Sequence, residues 1–142
     1  NLTIAPQKSH LVIFPHKQFN PEEHQITIND TPIIAETSTK FLGVILDYRF
    51  TLSPHFEHIS SKCSNALSII KSLKKTSFGA DPRHLITVYR GLIRSNIEYA
   101  CHIFRYSNTF KFNKLKKIEN NAIRLALGFR STTPIPVILA ES

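Results

Sequence analysis

Apolar and polar residues alternate with a short period in the first third of the chain and with a helical period thereafter. Ser9 to Phe14 (SHLVIF) is apolar and β-branched, stops at Pro15, and predicts a strand. Ile26 to Ile28 and Pro32 to Ile34 predict two more strands. The intervening Asn29 and Asp30 are residues that tolerate the positive backbone angles of a tight turn. Lys40 to Asp47 (KFLGVILD) predicts one buried strand, in which Gly43 marks a bulge or a close approach.

From residue 53 the period lengthens to that of a helix. Ser53-Pro54 is a helix start, with a hydroxyl N-cap followed by a proline where no amide bond is lost. Phe56, Ile59, Cys63, Ala66, Leu67, Ile70 and Leu73 then share a face, and Gly79 supplies a stop. Asp81-Pro82 repeats the start signal for a helix over 82–106, with Leu85, Ile86, Tyr89, Leu92, Ile93, Ala100, Ile103 and Phe104 on its apolar side. A third helix over 110–127 places Leu115, Ile118, Ala122 and Leu125 together and ends at Gly128. Thr132 to Pro136 reads as a connector. No single helix can bury its own stripe. The pattern therefore predicts an α+β fold: a small antiparallel sheet over 1–52, a three-helix bundle over 53–129, and a connector over 130–142.

Charge sharpens this division. Residues 1–52 hold four Lys or Arg against five Asp or Glu, a balance of −1, whereas residues 53–142 hold fourteen against five, a balance of +9. A basic helical part on a near-neutral sheet points to a polyanionic partner. Two cysteines are too few for a disulfide framework. The longest apolar run, Phe41 to Leu46, falls far short of the roughly 20 residues a membrane helix requires. A soluble, intracellular protein without a membrane partner is expected. The chain has no methionine and opens on Asn-Leu-Thr-Ile, which reads as a piece of a longer protein.

Catalytic signatures are sparse. The sequence has no phosphate-cradling glycine loop, CxxC pair or nucleophile elbow, and its one adjacent carboxylate pair, Glu22-Glu23, lies in a polar loop. Two-metal chemistry needs carboxylates converging on rigid elements, so no catalytic residue is assigned. His55 and His58 could reach one ion, but Cys63 points roughly 140° away from His58 on a helix, and no metal site is assigned either. Arg83, Arg90 and Arg94, by contrast, fall within roughly 40° of one another on the second helix. Thr87, Gly91 and Ser95 share that face. A line of guanidinium groups with a glycine between them suits a phosphate backbone, and a solvated face with acidic partners is the alternative reading. Lys116, Lys117 and Arg124 form a second basic face.

The order of these segments resembles the reverse transcriptases of non-LTR, jockey-like retrotransposons over nearly the whole chain. Ala5 to Ser9 with the strand to Phe14 resembles the palm segment after the catalytic Asp-Asp turn. Lys40 to Asp47 resembles the primer grip. His58-Ile59 with Lys62, then Tyr89, Leu92, Ser95, Ile97 and Tyr99, then Leu115, Ile118, Asn120, Ala122, Arg124 and Gly128, and finally Thr133-Pro134-Ile135 with Glu141, are similar to the thumb and connector.

The resemblance implies the end of a palm, a thumb and the start of a connector from an RNA-directed DNA polymerase. In the parent polymerase, Mg²⁺ would be bound by aspartates upstream of Asn1. It implies Lys8 near the phosphates of an incoming nucleotide and Phe41, Leu42, Gly43 and Val44 at the primer terminus. The helices would grip an RNA/DNA hybrid or other duplex, and the remaining fingers and palm would be partners. The competing reading is a non-catalytic, domesticated RNA- or DNA-binding helical module with the same basic faces.

Overall fold

The computed structural model describes residues 4–15, 20–75, 79–99, 101–104, 109–130 and 132–140. The fold is mixed α+β, and the chain divides into two compact units, Asn1–His55 and Phe56–Ser142.

The first unit is built on two antiparallel hairpins. β1 (Gln25–Ile28) pairs with β2 (Thr31–Ile34), with Ile28 opposite Thr31. Asn29 and Asp30 form the two-residue turn at φ 48° and 58°, as their side chains predict. β3 (Ser38–Phe41) pairs with β4 (Val44–Asp47), with Phe41 opposite Val44. This corrects the single buried strand expected over 40–47. Leu42 at φ 44° and Gly43 at φ 80° reverse the chain, so the glycine serves a turn rather than a bulge. The strand expected over Ser9 to Phe14 reduces to one parallel bridge between Leu11 and Ala35, closed by the Glu36 amide donating to the Leu11 carbonyl at 2.8 Å. Instead of one sheet, the described residues form two sheets of two strands each.

α1 (Ser53–Lys75) starts one residue before the proline of the start signal. The segment before it is fixed by side chains. The buried Asp47 carboxylate accepts from the Thr51 amide (3.1 Å), the Thr51 hydroxyl (3.0 Å) and the Leu52 amide (2.7 Å). The Thr51 hydroxyl in turn accepts from the Ser53 amide at 3.2 Å. With the Phe50 amide on its backbone carbonyl at 2.8 Å, Asp47 at the end of β4 thus fixes the path into the helix, in which Phe50 and Leu52 take φ 54° and 57°.

The second unit is helical. Along α1, Phe56, Ile59, Cys63, Ala66 and Ile70 are buried at the predicted spacing. α2 (Pro82–Tyr89) is capped by Asp81, whose side chain accepts from the Arg83 amide at 2.7 Å. The helix expected to run unbroken to 106 is interrupted. A π-helical turn spans Arg90–Arg94, with the Ser95 amide bonded to the Arg90 carbonyl, and is followed by α3 (Ser95–Glu98). Tyr99 is then extended at ψ 122°, before α4 (Cys101–Phe104).

The core explains the π turn. Leu85, Tyr89, Ile93 and Ile97 are all buried at a spacing of four residues. An α-helix drifts about 40° at each such step, and a turn with more residues winds the chain back toward the core. Leu92, which uniform α-helical geometry puts on the buried side, is instead 42% exposed. Ala100 and the Phe104 side chain lie outside what the structure describes.

α5 (Thr109–Leu127) packs against α2 and buries Leu115, Ala122, Ile123 and Ala126. It ends at Gly128, at φ 78°, with the Phe129 amide returning to the Arg124 carbonyl at 2.9 Å. The expected connector contains a further helix, α6 (Ile135–Ala140), which buries Ile138. Pro136 is no obstacle there, because the first turn of a helix has no carbonyl waiting for its missing N–H.

Candidate nucleic-acid interface

Arg83, Arg90 and Arg94 are all exposed on the segment running from α2 through the π turn. Buried Leu85, Tyr89, Ile93 and Ile97 hold the opposite side of that segment in the core, so the guanidinium groups face away from it. Arg94 has an acidic neighbour one turn on: its Nε donates to Glu98 Oε1 at 2.7 Å, with both side chains at least half exposed. Such a pair is easily exchanged for a phosphate, because solvent screens an exposed ion pair and leaves it little net worth. Gly91 lies between Arg90 and Arg94, and a Cβ built there meets nothing within 4 Å. Packing does not require the glycine, and a glycine inside a helix costs about 0.5–1 kcal/mol relative to alanine. What it leaves is bare backbone between two arginines.

The hydroxyl and amide side chains of this face serve its own backbone. Thr87 donates to the Arg83 carbonyl, Ser95 to the Gly91 carbonyl and Asn96 to the Leu92 carbonyl. The last two satisfy carbonyls of the π turn. Below it, Tyr89 donates its phenol to Glu119 Oε1 of α5 at 2.9 Å. Burial, followed by the Glu119 charge, pushes that phenol far above its ordinary range. The same two causes raise the Cys63 thiol to about 11, and it donates to the Ile93 carbonyl at 3.9 Å. Glu119 thus faces the core side of α5.

The opposite side of α5 is basic and amide-rich. Asn113, Lys116, Lys117 and Asn120 recur at helical spacing and, with Lys114, line a cavity of about 360 Å³. Arg124 continues this face in sequence but is half-buried, and its Nη2 donates to the Thr133 carbonyl at 3.0 Å. Through that bond and its own carbonyl it holds the turn after α5. Of the second basic face, then, Lys116 and Lys117 are open and Arg124 is engaged.

The remaining sequence-derived positions belong to the first unit. Phe41 and Leu42 project from the tip of the β3–β4 hairpin, 60% and 75% exposed, while Val44 is buried. A leucine at positive φ stores backbone strain, and strain of this kind clusters at functional sites. Lys8 is exposed at the end of a 3₁₀ turn, Pro6–Lys8. His55 is fully buried, and its Nδ1 accepts from the Ile45 amide at 3.4 Å. No group of three His, Cys, Asp or Glu side chains able to hold a metal occurs among the described residues. No helix among them is long and apolar enough to cross a membrane.

Sequence reasoning missed the Asp47 hub, the Tyr89–Glu119 bond and the way Asn113 and Asn120 of α5 share a face with Lys116 and Lys117. Only the last left a signal, the i, i+3, i+4, i+7 run of Asn and Lys.

Comparison with known proteins gives three relatives. The chain is 26% identical over 132 residues to a probable RNA-directed DNA polymerase from transposon X-element of Drosophila melanogaster, covering 90% of this chain and 14% of that protein. It is 23% identical over 123 residues to a probable RNA-directed DNA polymerase from transposon BS of the same fly, covering 87% and 14%. A retrovirus-related Pol polyprotein from type-1 retrotransposable element R1 of Bradysia coprophila is 24% identical over 102 residues, covering 72% and 10%. The chain therefore spans about one seventh of the length of the first two relatives. No family model matches it. No solved structure matches it either. The resemblance read from the residues is thus matched by relatives across most of the chain, which is similar to a segment of the RNA-directed DNA polymerases of non-LTR retrotransposons.

Proposed function

We propose that this chain is the primer-grip and thumb portion of an RNA-directed DNA polymerase, and that it positions a template–primer duplex for a catalytic centre built from other parts of the parent protein. One observation carries this reading: the exposed line of Arg83, Arg90 and Arg94, with a glycine that no packing requires set between two of them. A polymerase must hold every sequence equally well, so its grip relies on phosphates, and guanidinium groups are suited to that task. The balance of +9 in the helical part agrees. The strained, exposed Phe41–Leu42 tip suits a role at the primer terminus, and Lys8 a role toward the incoming nucleotide. Lys116 and Lys117 extend the basic surface.

Binding to an RNA/DNA hybrid across a salt series tests the proposal. Affinity should fall as salt rises, with little dependence on sequence, as counterions are released. Replacing Arg83, Arg90 and Arg94 together by Gln should lower the magnitude of the log–log salt slope by roughly two to three, at about 0.7–0.9 per phosphate contact. Replacing Lys17 and Arg49 of the near-neutral unit should leave it almost unchanged. An arginine triple that keeps the parent slope would remove the stripe from the interface.

A further inference from the structure

The two basic faces of the helical unit differ in chemistry. The arginine face offers a ligand chiefly guanidinium donors, with the oxygens of Thr87, Ser95 and Asn96 beside them. A guanidinium has no acceptor, and the Thr87, Ser95 and Asn96 side chains of the same segment are bonded to their own backbone. The outer face of α5 offers both kinds of group. Asn113 and Asn120 each present an amide oxygen and an amide nitrogen, and Lys116 and Lys117 present ammonium groups between them. Among the described residues none of these four side chains is held by a hydrogen bond or ion pair. The cavity they line with Lys114, about 360 Å³, falls in the size range of pockets for small organic ligands. No carboxylate is among its described lining residues, and the nearest in sequence, Glu119, is turned to the core and bonded to Tyr89.

A duplex phosphate has no use for the amide oxygens, because phosphate oxygens only accept, and along the backbone of a hybrid the RNA 2′-hydroxyl is the one group that donates. An exposed base edge does, since it sets donors and acceptors side by side, and an asparagine amide can meet such an edge with two bonds. We propose that this face of α5 binds one unpaired nucleotide of a nucleic-acid strand, its base edge on the Asn113 and Asn120 amides and its flanking phosphates on Lys116 and Lys117. The inference rests on the nucleic-acid reading above and deepens it. The helical unit then carries two different contacts, a duplex grip on the arginines and a single-strand hold on α5.

The test compares three probes on the whole chain: a blunt RNA/DNA hybrid, the same hybrid with a single-stranded RNA overhang, and free adenosine monophosphate. The overhang should tighten binding by about tenfold, given that a good amide–base pair is worth about 1–3 kcal/mol. Asn113→Ala with Asn120→Ala should abolish that gain and leave blunt-hybrid affinity and its salt slope unchanged. Asn113 is exposed, Asn120 is half-buried with no hydrogen bond to lose among the described residues, and alanine is the better helix former, so the variant should fold. Lys116→Gln with Lys117→Gln should reduce both the gain and the salt slope. The inference is overturned if the overhang adds nothing, or if the amide variant keeps the gain. Adenosine monophosphate bound as tightly as the overhang would overturn the strand in favour of a free nucleotide. A chain that binds the overhang strand through the amides but ignores the blunt hybrid would sink the duplex grip and leave this site standing.

Discussion

Among the described residues of the first unit five that are not glycine, Asn29, Asp30, Leu42, Phe50 and Leu52, sit at positive φ; in the second the positive angles described belong to Gly79 and Gly128. The buried apolar groups run the other way. Ile33, Ala35, Val44 and Leu52 are the buried hydrophobics among the described residues of the first unit, against a series from Phe56 to Ile138 in the second. The first unit also leaves Phe14, Ile26, Ile34, Phe41, Leu42 and Phe50 largely exposed. One part of the molecule is thus shaped by turns and hydrogen bonds, the other by a core. Each unit therefore has its own place to carry function: the hairpin unit in its turns, the helical unit on the outside of a body whose inside already fixes its shape.

That contrast can be broken most decisively in the core. Leu115 is 1% exposed, and Leu115→Ala should destabilise the helical unit by about 2–5 kcal/mol through lost burial and the cavity left behind. Hydrogen exchange should show faster opening of α2 and α5 amides, with those of β1 and β2 little changed. An equal loss of protection in the hairpins would mean that the two units are one cooperative structure and that the contrast is superficial.

A smaller effect is expected from the hub of the first unit. Asp47→Ala removes a buried carboxylate that accepts three bonds within Thr51 and Leu52, at a cost of about 2–3 kcal/mol, since bonds to charged groups are the stronger kind. Asp47→Asn keeps one acceptor oxygen and should lose less. The Leu52 amide should exchange fastest in the alanine variant. A melt unchanged by both substitutions would show that burial of Leu52 alone sets the path into α1.

What could be read from the sequence divides by range. The Asn29-Asp30 turn, the Ser53-Pro54 start, the Gly128 stop and the buried stripe of α1 are written in residues a few positions apart, and all are found near where those residues put them. The β3–β4 hairpin was illegible because its first turn residue is a leucine, which reads as strand and rarely takes positive φ. The π turn was illegible because neither Gly nor Pro chemistry requires it; burial of Leu85, Tyr89, Ile93 and Ile97 against other helices does. At the site, the exposure of Arg83, Arg90 and Arg94 followed from helical spacing. The engagement of Arg124 with Thr133 did not, because it depends on where the chain goes after α5.

The smallest expected effect is the most discriminating, because in it stability and function should move in opposite directions. Gly91 has helical backbone angles on both sides and open space where a Cβ would go. Gly91→Ala should therefore stabilise the helical unit by about 0.5–1 kcal/mol, the difference in helix propensity, as seen in a denaturant midpoint that rises with unchanged slope. If a phosphate backbone approaches the segment there, the added methyl stands in its way, and hybrid binding should weaken severalfold although all three arginines remain. The salt slope should stay near that of the parent, because no cation has been removed. Loss of stability would show that the π turn depends on the glycine itself. A more stable chain with undiminished affinity would confine the arginines to reaching out from the helix, with the strand never touching the backbone between them.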